Sequence, residues 1–148
     1  MEGNACSFFA IVGSQCGADT KDRTKSLEKV PLLSCNRDIT AHKSAFSIVG
    51  VENEIDLLLA RASIYAPPKN IENWTICPQH RASLGVSWKR SSSKCAIPAS
   101  FAKHNTRSGK KPKAERGLGK LGSETVLKET GIFLPVGRGR SILFFAVI

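Results

Sequence analysis

The chain has 148 residues (16.0 kDa), 41% apolar content and 7% aromatics, which leaves room for one domain of ordinary size around a small core. No stretch approaches the ~20 consecutive apolar residues of a membrane-crossing helix. Glu2 and the short apolar run at 8–12 argue against a signal peptide. Twenty-two Lys/Arg against twelve Asp/Glu give a net charge of +10, which draws the chain toward polyanions.

In chain order, residues 1–50 mix short apolar runs with polar connectors. Phe8 to Val12 and Ala45 to Val49 read as strands or short buried pieces, punctuated by Gly13, Gly17 and Gly50. Cys6, Cys16 and Cys35 lack a short paired spacing, so they read first as buried or free thiols. A metal site made of Cys6, Cys16, Cys35 and His42 is a weaker alternative, because its separations match no common ligand pattern. Five cysteines, an odd count set far apart, suit a reducing nuclear or cytoplasmic setting better than a disulfide framework.

Residues 51–65 predict an amphipathic helix. Val51, Ile55, Leu58, Leu59 and Ala62 recur at helical spacing, Glu52, Glu54 and Asp56 suit the positive end of the dipole, and Pro67-Pro68 ends the run. Packing within the chain is the plain use of that apolar stripe.

Residues 66–75 form a Pro-punctuated connector, and then the ligand types begin. Cys77-Pro78-Gln79-His80 is a C-x2-H knuckle, followed by Cys95 and His104. Two thiolates and two imidazoles suit tetrahedral Zn²⁺, and Pro78 pre-sets the turn between the first pair. Leu84, Val86 and Trp88 alternate around Gly85, which predicts a short strand or hairpin arm leading back to Cys95. The expected metal ligands are therefore Cys77, His80, Cys95 and His104. Four protein ligands would close the ion's coordination and make its role structural.

The excess charge is local. Residues 81–120 hold eleven bases and the single acid Glu115, which equals the whole net charge of the chain. Arg81, Lys89, Arg90, Lys94, Lys103, Arg107, Lys110, Lys111, Lys113 and Arg116, with Trp88 for stacking, are the candidate nucleic-acid contacts. With no recognition helix in view, binding is expected to be backbone-driven and non-specific. Residues 105–122 read as a linker, and Lys110-Lys111-Pro112-Lys113 as a solvated loop or localisation signal. Ser123 reads as the N-cap of a two-turn helix over 124–130 that ends at Gly131. The apolar, β-prone tail at 142–148 closes the chain.

The series Ile64-Tyr65-Ala66-Pro67-Pro68, Trp74 to Arg81, Leu84-Gly85, Trp88, Cys95, Pro98, His104, Glu115-Arg116 and Thr130-Gly131 to Leu134-Pro135-Val136-Gly137 resembles a Cys/His-rich, zinc-binding module of uncharacterised invertebrate animal proteins. The resemblance covers roughly residues 64–137, implies a zinc-stabilised module and supplies no activity. In that module a further C-x2-C follows the Leu-Pro-Val-Gly element, where this chain has Arg138-Gly139-Arg140. A truncated, non-functional copy is therefore one alternative.

The expected fold is a small, partly disordered α+β chain. It comprises an N-terminal region at 1–65 ending in the 51–65 helix, a basic Cys/His module at 66–137 and an apolar tail at 138–148. The expected function is a zinc-stabilised module touching nucleic acid or another polyanion, with a protein-interaction adaptor as the alternative. No paired carboxylates, Ser/His/Asp set or nucleotide-binding Gly-rich loop points to an enzyme.

Overall fold

The computed structural model describes residues 5–90, 96 and 116–140. They form an α+β fold of five short α-helices and two small antiparallel sheets. The helices are α1 (Phe9–Val12), α2 (Thr40–Phe46), α3 (Glu54–Ala60), α4 (Pro78–Leu84) and α5 (Lys120–Thr130). The strands are β1 (Val30–Pro31), β2 (Thr75–Ile76), β3 (Arg116–Gly117) and β4 (Gly139–Arg140). Strand β1 pairs with β2, Val30 opposite Ile76, and β3 pairs with β4, Gly117 opposite Gly139. No helix among the described residues is long and apolar enough to cross a membrane.

The chain divides into two compact units. Unit 1 is Met1–Ile39 with Glu52–Trp88, and unit 2 is Thr40–Val51 with Lys89–Ile148. The division also sorts the charge. Unit 1 carries eight Lys/Arg and nine Asp/Glu, a net of −1, whereas unit 2 carries fourteen Lys/Arg and three acids, a net of +11.

In unit 1 the core gathers Phe8, Leu32, Leu58, Leu59 and Ile76 with Cys6, Cys35 and Cys77. Phe8 is fully buried and meets the edge of Trp74, ring centroids 5.6 Å apart at 83°. The 8–12 run is therefore a helical turn, not a strand. Gly13 ends it in the left-handed region at φ 76°, a conformation open to glycine without a side-chain clash.

Helix α3 lies inside the predicted 51–65 span but is only two turns long. Asn53 starts it late, its side chain accepting from the Asp56 N–H, and Ser63 at φ 62° stops it early. Its Leu58 and Leu59 point into the core, so the apolar stripe packs within the chain.

Helix α4 replaces the strand expected around Leu84. Pro78 sits in the first turn, where its missing N–H costs nothing, and Cys77 is the N-cap. Arg61 meets the other end: its Nη1 donates to the carbonyls of Leu84 (3.0 Å) and Gly85 (2.8 Å). The same guanidinium lies 4.1 Å over the Trp88 ring, so Trp88 packs beneath a cation and does not alternate along a strand.

The two helices are tied by an ion pair. Glu54 is fully buried and accepts from Arg81 Nε and Nη2, both at 2.8 Å, and from the Arg37 N–H at 2.9 Å.

In unit 2, α5 begins at Lys120 after Gly119, four residues before the expected start, and ends at Gly131 with φ 75° as expected. Ser123 is buried inside the helix, where its hydroxyl donates to the Leu134 carbonyl at 2.6 Å instead of capping the end. The expectations for the Cys95 hairpin arm, residues 105–115 of the 105–122 linker and the 142–148 tail lie outside the described residues, whereas residues 116–122 form β3 and the start of α5 instead of a linker.

Candidate metal centre

Helix α4 sets Cys77 and His80 on the same turn. The Cys77 Sγ accepts the His80 backbone N–H at 3.4 Å and stands 3.1 Å from His80 Nδ1. The C-x2-H spacing was legible because a cap and the N3 residue face each other across one turn.

The other partners come from the N-terminus. Pairing of Ser7 with Thr75 of β2, by Ser7 N–H to Thr75 carbonyl (3.1 Å) and Thr75 N–H to Ser7 Oγ (2.9 Å), holds the chain start near α4. Cys6 Sγ then lies 3.2 Å from His80 Nδ1. After α1, Gly13 turns the chain and brings Cys16 Sγ to 4.0 Å from the same nitrogen and 3.2 Å from the Cys6 N–H. The Gln79 N–H donates to the Gly17 carbonyl at 3.0 Å, which fixes this segment to α4.

The result is a set of four ligand atoms, the sulfurs of Cys6, Cys16 and Cys77 and the Nδ1 of His80, all within 4.8 Å of one another. A tetrahedral ion with bonds of about 2.3 Å to sulfur and 2.0 Å to nitrogen spaces S···N by roughly 3.5 Å. The three S···Nδ1 distances, 3.1, 3.2 and 4.0 Å, bracket that value. The chemistry of the donors fits as well: three thiols and an imidazole form a soft set, with no carboxylate in the cluster.

The far side of the ring is also specified. His80 Nε2 lies 2.9 Å from Ser14 Oγ and 3.0 Å from the Ser14 carbonyl oxygen. A carbonyl can only accept, so Nε2 carries the proton and Nδ1 turns its lone pair toward the sulfurs. Burial lowers the His80 pKa, against a smaller opposing effect of the Ser14 carbonyl, and so favours the neutral ring that ligation needs.

The thiols differ. Burial raises Cys6 to about 11, so an ion must displace its proton. Burial also works against the Cys16 thiolate, but hydrogen bonds from the Cys6 backbone, Cys6 thiol and Cys77 thiol outweigh it and leave Cys16 below its usual value. Cys16 is the one partly exposed ligand, whereas the other three are buried.

The structure thus joins Cys77 and His80 to Cys6 and Cys16. Cys95 and His104 lie outside the described residues. Of the weaker alternative set, Cys35 is buried near the Pro31 carbonyl, burial raises its pKa, and its sulfur is not in the cluster. His42 sits in unit 2, edge-on to Phe46. Cys6 and Cys16 carried only a faint signal: two thiols ten positions apart, some sixty residues before their partners.

Several expected nucleic-acid contacts have internal partners. Arg81 is committed to Glu54, and Trp88 underlies Arg61. Arg90 donates to the Gly137 and Phe46 carbonyls at 2.9 and 3.0 Å. Lys89 and Arg116 are exposed, and Arg116 also makes an interaction within the structure. Lys94, Lys103, Arg107, Lys110, Lys111 and Lys113 lie outside the described residues.

No family model, curated protein or solved structure matches the chain.

Proposed function

We propose that the chain is a zinc-stabilised binding module in which Cys6, Cys16, Cys77 and His80 hold Zn²⁺, and whose basic unit contacts nucleic acid or another polyanion without sequence selectivity. The observation that carries the metal reading is the convergence of three sulfurs and one ring nitrogen within 4.8 Å. Zinc is the natural occupant of a thiolate-rich tetrahedral site with an imidazole, and four protein ligands leave no open position for a reacting water. Its role is therefore structural, joining the N-terminal segment to α4. The sorting of charge supports the polyanion reading: a net of +11 rests on the unit that does not contain the metal ligands.

Metal analysis of the purified full chain tests the first half. One zinc per chain is expected, lost in Cys16→Ser and in His80→Ala and retained in Cys95→Ser and His104→Ala. No zinc after reconstitution, or loss only in the last two variants, would overturn this ligand set. A salt titration with random oligonucleotides tests the second half. Affinity is expected to fall steeply as salt rises. Absence of binding at low salt would remove the polyanion reading and leave the metal-stabilised adaptor.

A further inference from the structure

Unit 2 carries a groove of about 410 Å³ lined by Thr40, Lys43 and Ser44 on α2, Ser47, Ile48 and Val49 just beyond it, and Arg116 on β3. The lining combines two cations and three hydroxyls, and it contains no carboxylate. That combination is what phosphate oxygens seek: fixed positive charge plus several hydrogen-bond donors. Val49, 61% exposed, adds an apolar wall.

The groove is held by tight packing. Gly117 lies so close to residues 46 and 47 that no Cβ would fit there, and the Lys120 N–H donates to the Val49 carbonyl at 3.2 Å. Ser47 itself is held at φ 52°, an uncommon conformation for a residue with a side chain. Arg116 is the last of the expected nucleic-acid contacts along the chain, and Lys43, outside that run in sequence, lines the same groove.

We infer that this groove is the docking point for a backbone phosphodiester of single-stranded nucleic acid, gripped by Lys43 and Arg116 with the serine hydroxyls as donors and a sugar face against Val49. The inference rests on the polyanion reading and locates it.

The test uses the zinc-loaded full chain and a labelled random single-stranded DNA, with affinity followed across salt concentrations. Each phosphate neutralised on a single strand contributes roughly 0.7 to the slope of log K against log salt. Lys43→Gln/Arg116→Gln is expected to lower the slope by roughly 1.4, which corresponds to about 25-fold weaker binding at 0.1 M salt. Lys43→Gln alone should lower it by roughly half as much, and Arg116→Lys should keep it. The charge-matched control Lys21→Ala/Lys69→Ala, on unit 1, should leave the slope in place. Equal weakening by the control, or an unchanged slope in the double variant, overturns the groove while oligonucleotide binding itself survives. Inorganic phosphate at constant ionic strength should displace the DNA no better than chloride does. Selective displacement by phosphate would make this a free-phosphate site and overturn the nucleic-acid assignment.

Discussion

Replacing Glu54 by Gln should be among the most damaging single changes in unit 1. The Glu54 side chain is fully buried, and its two oxygens take both Arg81 bonds at 2.8 Å and the Arg37 N–H at 2.9 Å. A glutamine of the same shape keeps one acceptor oxygen but presents an NH₂ to guanidinium donors, and Arg81, only 16% exposed, is left with an unmet charge. Removing one member of a buried pair costs about 3–5 kcal/mol. With an m-value of about 2 kcal/mol/M, that lowers the urea midpoint by roughly 2 M. Helix α4 carries both Cys77 and His80, so the change should also weaken zinc retention.

The pH dependence has a definite sign. Burial alone would raise the Glu54 pKa, but the Arg81 hydrogen bonds, with help from the Arg37 N–H and both positive charges, outweigh it and hold the carboxyl below its usual value. A depressed folded-state pKa gives stability that is present above the unfolded carboxyl value of about 4.3 and lost as pH falls through the folded-state value. The gap between wild type and Glu54→Gln should therefore be widest near neutrality and narrow in acid, where proton competition for the metal ligands affects both proteins alike. Glu54→Leu/Arg81→Met should recover much of the loss, because an apolar pair of similar volume often replaces a buried ion pair without penalty. A midpoint shift under roughly 0.3 M for Glu54→Gln, or a gap independent of pH, would refute the reasoning.

Three further outcomes follow from the geometry. Ser14→Ala removes the hydroxyl facing His80 Nε2 but keeps the carbonyl, so zinc affinity should fall by about tenfold, the lower end for an outer-shell partner, measured by chelator competition. Phe8→Ala empties a fully buried position against Trp74 and should cost about 3–5 kcal/mol in chemical denaturation, with quenching of Trp74 altered. Gly117→Ala would drive a Cβ into the Phe46 carbonyl oxygen, so β3 must shift; a thermal midpoint unchanged from wild type would contradict the packing in unit 2.

What the sequence revealed depended on range. Cys77 and His80 were legible because their spacing is local, one turn of a helix with its cap. Cys6 and Cys16 reach them through the Ser7–Thr75 pairing and the Gly13 turn, which join segments almost seventy positions apart and leave no periodic trace. Periodicity found α3 but overran both ends, because Asn53 and the left-handed Ser63 set its limits, not the apolar stripe. The alternation of Leu84, Val86 and Trp88 suggested a strand, yet Leu84 ends α4 and Trp88 has the Arg61 guanidinium over its ring. Gly131 was correctly read as a stop because its φ of 75° is a backbone requirement that composition alone exposes.

Cys77 fills two posts, since its sulfur belongs to the Cys/His cluster and also accepts the backbone N–H of His80, the third residue of α4. With the proposed ion bound, its capture and the initiation of the helix would be a single event, so apoprotein should lose helicity at this segment in step with thiol exposure. The posts can be separated by replacement chemistry: serine serves as a cap but is a poor ligand for a soft ion, while alanine is neither. In ion-free protein the stability difference between Cys77→Ser and Cys77→Ala should therefore come down to the cap alone, about 1 kcal/mol.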